Sequence, residues 1–270
     1  IIAGQGADTI DAGAGQNIVF GDHGQLPGLD GGVNRPVGDP AKTDDDYQLQ
    51  VLGRVTSIGI GDVNGVANNL GNGNDAITTG IGRDLIFGGG GNDIIVANAG
   101  ETAAINDGNN IVFGDHGFID YLSGERASAV AGDPPRSDDI DIVSSLDAAT
   151  AFGGNDSITT GNRNDIVIGG TGSDVINAGN GHNIALGDNA RLTADRQDQD
   201  AQALFAVHAF TLARIETFGF ADAESGNDTV RAGDGNDLLF GGGASDTVFA
   251  GSGNDLVFGD QGLVERRNNA

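Results

Sequence analysis

The sequence predicts an all-β fold, a parallel β-roll with β-hairpin-like insertions, and three observations carry that expectation. The first is a nine-residue period. From Ala223 to Asp260 the chain reads Ala-Glu-Ser-Gly-Asn-Asp-Thr-Val-Arg, Ala-Gly-Asp-Gly-Asn-Asp-Leu-Leu-Phe, Gly-Gly-Gly-Ala-Ser-Asp-Thr-Val-Phe and Ala-Gly-Ser-Gly-Asn-Asp-Leu-Val-Phe, then Gly-Asp. The second is the division of labour inside the period. Small residues hold the second and fourth positions apart from Glu224, aspartate holds the sixth, and an aliphatic residue holds the eighth. That is the pattern G-G-x-G-x-D-x-U-x of stacked turns in a parallel roll. The third is composition: 48 glycines and 5% aromatic residues in a 270-residue chain argue against an ordinary globular core.

Each position has a physical reason. The turn is glycine-rich because its backbone must take positive φ and expose carbonyl oxygens. The aspartate offers the charged oxygen that a hard cation prefers. In the x-U-x strand, side chains alternate, so U points inward and its neighbours outward.

These repeats resemble the hemolysin-type calcium-binding repeats of RTX proteins, which are exported by type I secretion. About a dozen copies in register carry the resemblance, over a little over half of the chain. It implies calcium as the cofactor, with each ion between adjacent turns, held by sixth-position carboxylates and turn carbonyls. The candidate metal ligands are therefore Asp8, Asp75, Asp84, Asp93, Asp156, Asp165, Asp174, Asp228, Asp237, Asp246 and Asp255. Repeats two apart share an edge of a roll, so Asp75 should meet Asp93, Asp156 should meet Asp174, Asp228 should meet Asp246, and Asp237 should meet Asp255. A plainer reading is that these aspartates only make Asx turns. Asn17, Asn110 and Asn183 replace aspartate in the last repeat of three arrays. An amide brings no charge, so sites there should be weaker or absent.

Four arrays lie along the chain. The first is Ala3–Asp11 and Ala12–Phe20. The second is Leu70–Thr78, Thr79–Phe87, Gly88–Val96, a degenerate Ala97–Ala104 and Ile105–Phe113. The third is Ala151–Thr159, Thr160–Ile168, Gly169–Asn177 and Ala178–Leu186; the fourth is the one quoted above. Each ends in Gly-Asp, and the glycines Gly21, Gly114, Gly187 and Gly259 are 93, 73 and 72 residues apart. A longer unit thus contains the nonapeptides. Its boundaries divide the chain into a truncated array at 1–29, an insertion at 30–69, an array at 70–122, an insertion at 123–150, an array at 151–195, an insertion at 196–222 and an array at 223–267, all in one continuous repeat superstructure.

Each insertion opens with a short apolar stretch after the Gly-Asp, runs through a polar loop (Asn34–Asp46, Gly132–Asp141, Asp195–Asp200) and closes with a second apolar stretch (Tyr47–Ile60, Ile140–Leu146, Leu204–Phe220). The first two closing stretches alternate and carry β-branched residues, which reads as strand. Leu204–Ile215 also suits a helix, but its place in the unit matches the strands. The insertions are therefore expected as hairpins on the side of the roll.

In the third and fourth arrays, the second and fourth repeats carry apolar residues on both flanks of U: Ile166 and Ile168, Ile184 and Leu186, Leu238 and Phe240, Leu256 and Phe258. The first and third repeats are mostly polar there, as at Ser157, Thr159, Asn177, Thr229 and Thr247. One sheet should then have an apolar outer face, which does not normally stay bare. We expect the hairpins, with Leu204–Phe220 first, or a neighbouring array to cover it. The degenerate repeat should disturb this alternation in the second array.

Charge and motifs exclude several functions. A net charge of −26 is wrong for nucleic acid, which needs a basic surface. No apolar run is long enough for a membrane span. Only five of the 39 acidic residues are glutamate, and short aspartate suits tight turns and ion cages. There is no nucleophile elbow, zinc pattern or phosphate loop, so no enzyme is expected. The histidines His23, His116, His182 and His208 read as hydrogen-bonding or surface residues. Two readings stand for Asp22, Asp115, Asp188 and Asp260: a last ion, or a backbone hydrogen bond closing the roll. Asp44–Asp46 and Asp138–Asp141 read as solvated loops, with separate calcium sites as the alternative.

The chain opens inside a repeat without methionine, so we expect a piece of a longer protein. The expected function is a calcium-binding structural segment of a secreted, extracellular or cell-surface protein or adhesin that folds on calcium binding after export. Neighbouring repeats of the same protein and cell-surface or polysaccharide ligands are the partners that fit. The alternative is a folding, secretion or substrate-contact module of an exported protease, lipase or polysaccharide epimerase.

Overall fold

The computed structural model describes residues 1–26, 54–57, 73–102, 108–121, 140–146, 153–194, 212–218 and 225–265. Among these residues regular structure is strand, arranged as three stacked seven-stranded sheets. The all-β roll expected from the repeats is what forms.

The outer sheet holds the strands of odd repeats: β1 (Thr9–Gly13), β5 (Ala76–Gly80), β7 (Ile94–Ala99), β11 (Ser157–Thr159), β13 (Val175–Asn177), β17 (Thr229–Arg231) and β19 (Thr247–Phe249), in that order. The middle sheet holds those of even repeats, and of Ile105–Phe113 after the degenerate repeat: β2 (Ile18–Phe20), β6 (Leu85–Phe87), β8 (Ile111–Phe113), β12 (Ile166–Gly170), β14 (Ile184–Asp188), β18 (Leu238–Phe240) and β20 (Leu256–Phe258). Both are parallel throughout. Eighth-position residues fill the space between them: Ile10, Val19, Ile77, Ile86, Ile95, Val112, Ile158, Val167, Ile176, Ala185, Val230 and Leu239 form one buried cluster.

The insertions build the third layer. This cover sheet is an antiparallel meander of β3 (Gly24–Gln25), β4 (Arg54–Ser57), β9 (Gly117–Asp120), β10 (Ile142–Ser145), β15 (Ala190–Ala194), β16 (Leu212–Thr217) and β21 (Leu263–Glu265). The hairpins therefore pair with one another, rather than hanging separately from the roll. The second and third long units each add two strands to every sheet. Because strand spacing is about 4.8 Å in both parallel and antiparallel sheets, the cover rises in step with the roll.

The second core lies between middle and cover sheets. Phe20, Phe87, Phe113, Ile166, Ile168, Ile184, Leu186, Leu238 and Phe240 face Val55, Ile119, Val143, Leu192, Leu212 and Ile215 in one buried cluster. The apolar outer face is covered as expected, and the described part of Leu204–Phe220 is strand. Neighbouring arrays extend the same sheets instead of covering each other. Phenylalanines stack along the middle sheet, with ring centroids 5.0 Å apart for Phe20–Phe87, 4.8 Å for Phe87–Phe113 and 4.6 Å for Phe240–Phe258. Burying each is worth roughly 1.5–3 kcal/mol. Phe258 is only partly buried and Leu256 is exposed, because β20 ends the sheet and has one neighbour. On the opposite face Ser157, Asn177 and Thr247 are exposed, as are the apolar Ile94 and Val175.

One expectation is corrected. The degenerate repeat does not disturb the alternation, because β8 pairs with β6 and β12 in full register. β7 and β8 take consecutive places in the outer and middle sheets, so the described part of the turn between them adds no layer. From that turn, the Glu101 carboxylate accepts the backbone N–H of Asn162 at 3.1 Å and its side-chain amide at 2.6 Å.

Candidate metal centre

Two edges join the outer and middle sheets. On the first, where the chain passes from middle to outer sheet, the sixth-position aspartates form one continuous ladder. The N–H of each donates to Oδ1 of the next: Asp8 to Asp75 at 2.8 Å, Asp75 to Asp93 at 2.7 Å, Asp93 to Asp156 at 2.7 Å, Asp156 to Asp174 at 2.8 Å, Asp174 to Asp228 at 2.8 Å and Asp228 to Asp246 at 2.9 Å. The pairs expected within arrays meet. The rungs between arrays, such as Asp8–Asp75 across the first insertion, were not legible from spacing.

The carbonyl of each aspartate accepts the first strand N–H of the next layer, for example Ile94 N–H to Asp75 O at 2.8 Å. With N–H, C=O and Oδ1 engaged, one oxygen is left over. Oδ2 of Asp8, Asp75, Asp93, Asp156, Asp174, Asp228 and Asp246 is buried without a hydrogen-bond partner. Buried polar groups are almost always paired, so a row of such oxygens marks a place for another ligand.

The electrostatics agree. Burial, then Asp156 and further neighbouring aspartates, push Asp93 up to about 9, while burial raises Asp156 to about 7. Burial first, then Asp188 and Asp246, raise Asp228 to about 7. Asp174 stands well above the usual carboxylate range through burial and the charges of Asp156, Asp115 and Asp228. Stacked carboxylates without a counter-ion disfavour ionisation.

Glycine opens room beside these oxygens. A Cβ placed on Gly169 would stand 2.4 Å from Asp174 Oδ2 and 2.2 Å from the Gly187 carbonyl. The same holds at Gly88, beside Asp93 Oδ2 and Gly114 O, and at Gly187, beside Asp228 Oδ2 and Gly241 O. A carboxylate oxygen and a carbonyl oxygen thus converge where a side chain is missing. Hard oxygen donors, one charged and one neutral, fit calcium. Among the described residues no three His, Asp or Glu side chains gather at one point, so an ion here would draw on paired carboxylates and turn carbonyls.

On the second edge, from outer to middle sheet, the ladder runs Asn17, Asp84, Asn110, Asp165, Asn183, Asp237, Asp255, with N–H to Oδ1 distances of 2.7–3.0 Å. Here asparagine alternates with aspartate as far as Asp237. A second set of rungs, from fifth-position residues, runs in the opposite direction on both edges: Asn92 N–H donates to Asn74 Oδ1 at 2.9 Å, and Asn236 N–H to His182 Nδ1 at 2.8 Å.

Three of the Gly-Asp aspartates, Asp22, Asp115 and Asp188, close the roll by hydrogen bonds, and Asp115 grips two segments. Asp115 accepts Gly154 N–H at 3.1 Å, where the insertion returns, and the Thr171 N–H and hydroxyl at 2.6 and 2.8 Å in the next turn. Asp22 accepts Gly90 N–H at 2.7 Å and Asp188 accepts Gly243 N–H at 2.5 Å. Asp260 has no layer above it and is exposed. Hydroxyls missed by the sequence reading tie one hairpin to the next: Ser57, Ser145 and Thr217 accept N–H groups of Gly117, Ala190 and Gly262 at 2.8, 3.1 and 2.8 Å. Their regular place at the end of each closing strand was the available signal.

His116 is buried, and burial, then His23, lower it to about 4. His182 is a ladder rung. His208 and Asp44–Asp46 lie outside the described residues, as do Asp138 and Asp139.

A family model for the RTX calcium-binding nonapeptide repeat matches four times, at residues 1–25, 70–101, 150–185 and 222–262. The chain is built on RTX calcium-binding repeats. No curated protein and no solved structure matches it. The four RTX matches fall on the four arrays, and the cover-sheet strands β4, β10 and β16 lie outside them. The RTX family binds calcium, so the ladder of spare carboxylate oxygens lies in the part of the chain that carries the family's chemistry.

Proposed function

We propose that this chain is a calcium-binding structural segment of an exported surface protein or adhesin, and that it folds when it meets calcium outside the cell. The observation that supports this most is the all-aspartate ladder. Stacking buried like charges is unfavourable unless a cation neutralises them. A cation that binds the folded form alone adds its binding free energy to folding. The candidate ligands are the sixth-position aspartates named from the sequence, with turn carbonyls completing the shell. In this reading the chain has no catalytic role, since the same rung recurs layer after layer and offers no single constellation of acid, base and nucleophile.

The test is a calcium titration of the calcium-free chain at neutral pH, followed by far-UV circular dichroism. The expected result is a change from largely disordered to β-rich, with magnesium a poor substitute because it demands a tight octahedral shell. A fully β-rich spectrum at neutral pH in excess chelator would overturn the proposal. Immunolabelling of intact producing cells tests the location: surface signal is expected, and a signal seen only after lysis counts against it.

A further inference from the structure

We infer that calcium loads one edge of this roll only, and that the other edge is a metal-independent hydrogen-bonded spine. The inference rests on the calcium reading above. The two edges have the same backbone ladder, yet differ in two independent ways.

The first difference is charge. The middle-to-outer edge is aspartate at every described rung, from Asp8 to Asp246. The outer-to-middle edge interposes Asn17, Asn110 and Asn183. Those amides also donate. Asn17 Nδ2 gives a hydrogen bond to Asp84 Oδ1 at 2.9 Å, so Asp84 has a neutral partner where its counterpart Asp75 has only carboxylates in line. The Gly-Asp aspartates add charge to the first edge again: Asp22 lies beside Asp75, Asp115 beside Asp156, and Asp188 beside Asp228.

The second difference is space. On the first edge, the first position of the turn is glycine at Gly21, Gly88, Gly114, Gly169, Gly187 and Gly241, and the gap beside each is lined by an aspartate Oδ2 and a carbonyl. On the second edge the first position carries a side chain: Ala12, Thr79, Thr160, Ala178, Ala232 and Ala250. Ala178 is fully buried, and Ala12, Ala232 and Ala250 pack against the core between the sheets. An asparagine rung needs no counter-ion, and a methyl group needs no cradle. Asp84 and Asp237 keep a buried Oδ2 without a hydrogen-bond partner on this edge too. Uncharged rungs at Asn17, Asn110 and Asn183 alternate with them, however, and a side chain takes the place of the glycine cradle, while the N–H to Oδ1 ladder stays intact.

The experiment compares Asp174→Asn with Asp84→Asn in the full chain. Both replacements keep an Oδ1 acceptor, and asparagine already serves as a rung at Asn110 and Asn183, so the ladder is retained; circular dichroism in saturating calcium checks this. Calcium bound per chain is then counted by equilibrium dialysis and calorimetry. Asp174→Asn is expected to lose at least one bound calcium, and Asp84→Asn to keep the wild-type number. Gly169→Ala, which fills a cradle without changing charge, should also lose calcium. Equal losses in Asp174→Asn and Asp84→Asn, or no loss in either, would overturn the one-edge arrangement while leaving calcium binding standing. A wild-type chain that binds no calcium would remove both.

Discussion

Gly117 lies flat against the ring of Phe113: a Cβ on Gly117 would stand 2.3 Å from Phe113 Cδ1. Gly24 meets Phe20 in the same way, at 2.4 Å, and Gly262 sits on both Phe240 and Phe258. In the third unit the ring is replaced by Leu186, and the residue four places on is Ala190, fully buried. The chain therefore offers two ways to fill the corner between middle and cover sheets: a ring over glycine, or a branched aliphatic chain over alanine.

The swap is testable as a double-mutant cycle in calcium. Gly117→Ala alone should destabilise the roll by about 1–3 kcal/mol, the usual cost of overpacking a filled core. Phe113→Leu alone leaves a cavity and should also destabilise. Together they recreate the Leu186–Ala190 pair, so the double variant should be more stable than the sum of the single losses predicts. Urea denaturation reads all three, and strict additivity would show that the corner does not couple the two positions.

Acid should substitute for calcium in part. The folded-state values of Asp93, Asp156, Asp228 and Asp237 are raised, to about 9, 7, 7 and 6, from an ordinary value near 3.8. The folded, calcium-free chain thus holds protons that the unfolded chain gives up. Stability from these groups is fully present below about pH 4 and is lost as pH rises through the folded values. In calcium-free buffer, β-structure should be greatest near pH 4 and fall toward pH 8. With calcium the slope should reverse, because protons and calcium compete for the same oxygens. A pH scan of circular dichroism in both conditions is the measurement, and parallel curves would contradict the linkage.

The double grip of Asp115 makes a ranking among the Gly-Asp aspartates. Asp115 is buried and accepts from Gly154 and Thr171, so Asp115→Ala strands those donors and should cost on the order of 1–3 kcal/mol or more. Asp260 occupies the same place in the motif with no turn above it, and Asp260→Ala should change stability by less than about 0.5 kcal/mol. Thermal unfolding in calcium compares them. Similar losses would mean that the carboxylate matters through something other than clasping the next turn.

Much of this molecule could be read from one dimension. The nine-residue period alone determined that the chain winds as a roll, which residues fill its interior, and which face of one sheet needs a cover. Such features depend on a residue's position within its own repeat, because strand side chains alternate and turns recur. The candidate aspartates were legible for the same reason, and so was the pairing of Asp228 with Asp246 two repeats away.

What only the tertiary structure decided is where separate segments join. The rung between Asp8 and Asp75 spans an insertion, and nothing in the spacing says that the chain returns to the same edge one layer higher. The merging of hairpins into a single meander depends on strand pairing between units, as in β4 with β9, and such pairing is set by geometry rather than by local pattern. The degenerate repeat misled for a related reason: sequence counts residues, while a sheet counts layers, and a turn can absorb residues without adding a strand. The contrast between the two edges was present as scattered asparagines and alanines. It became a property of the protein only when folding sorted odd turns to one side and even turns to the other.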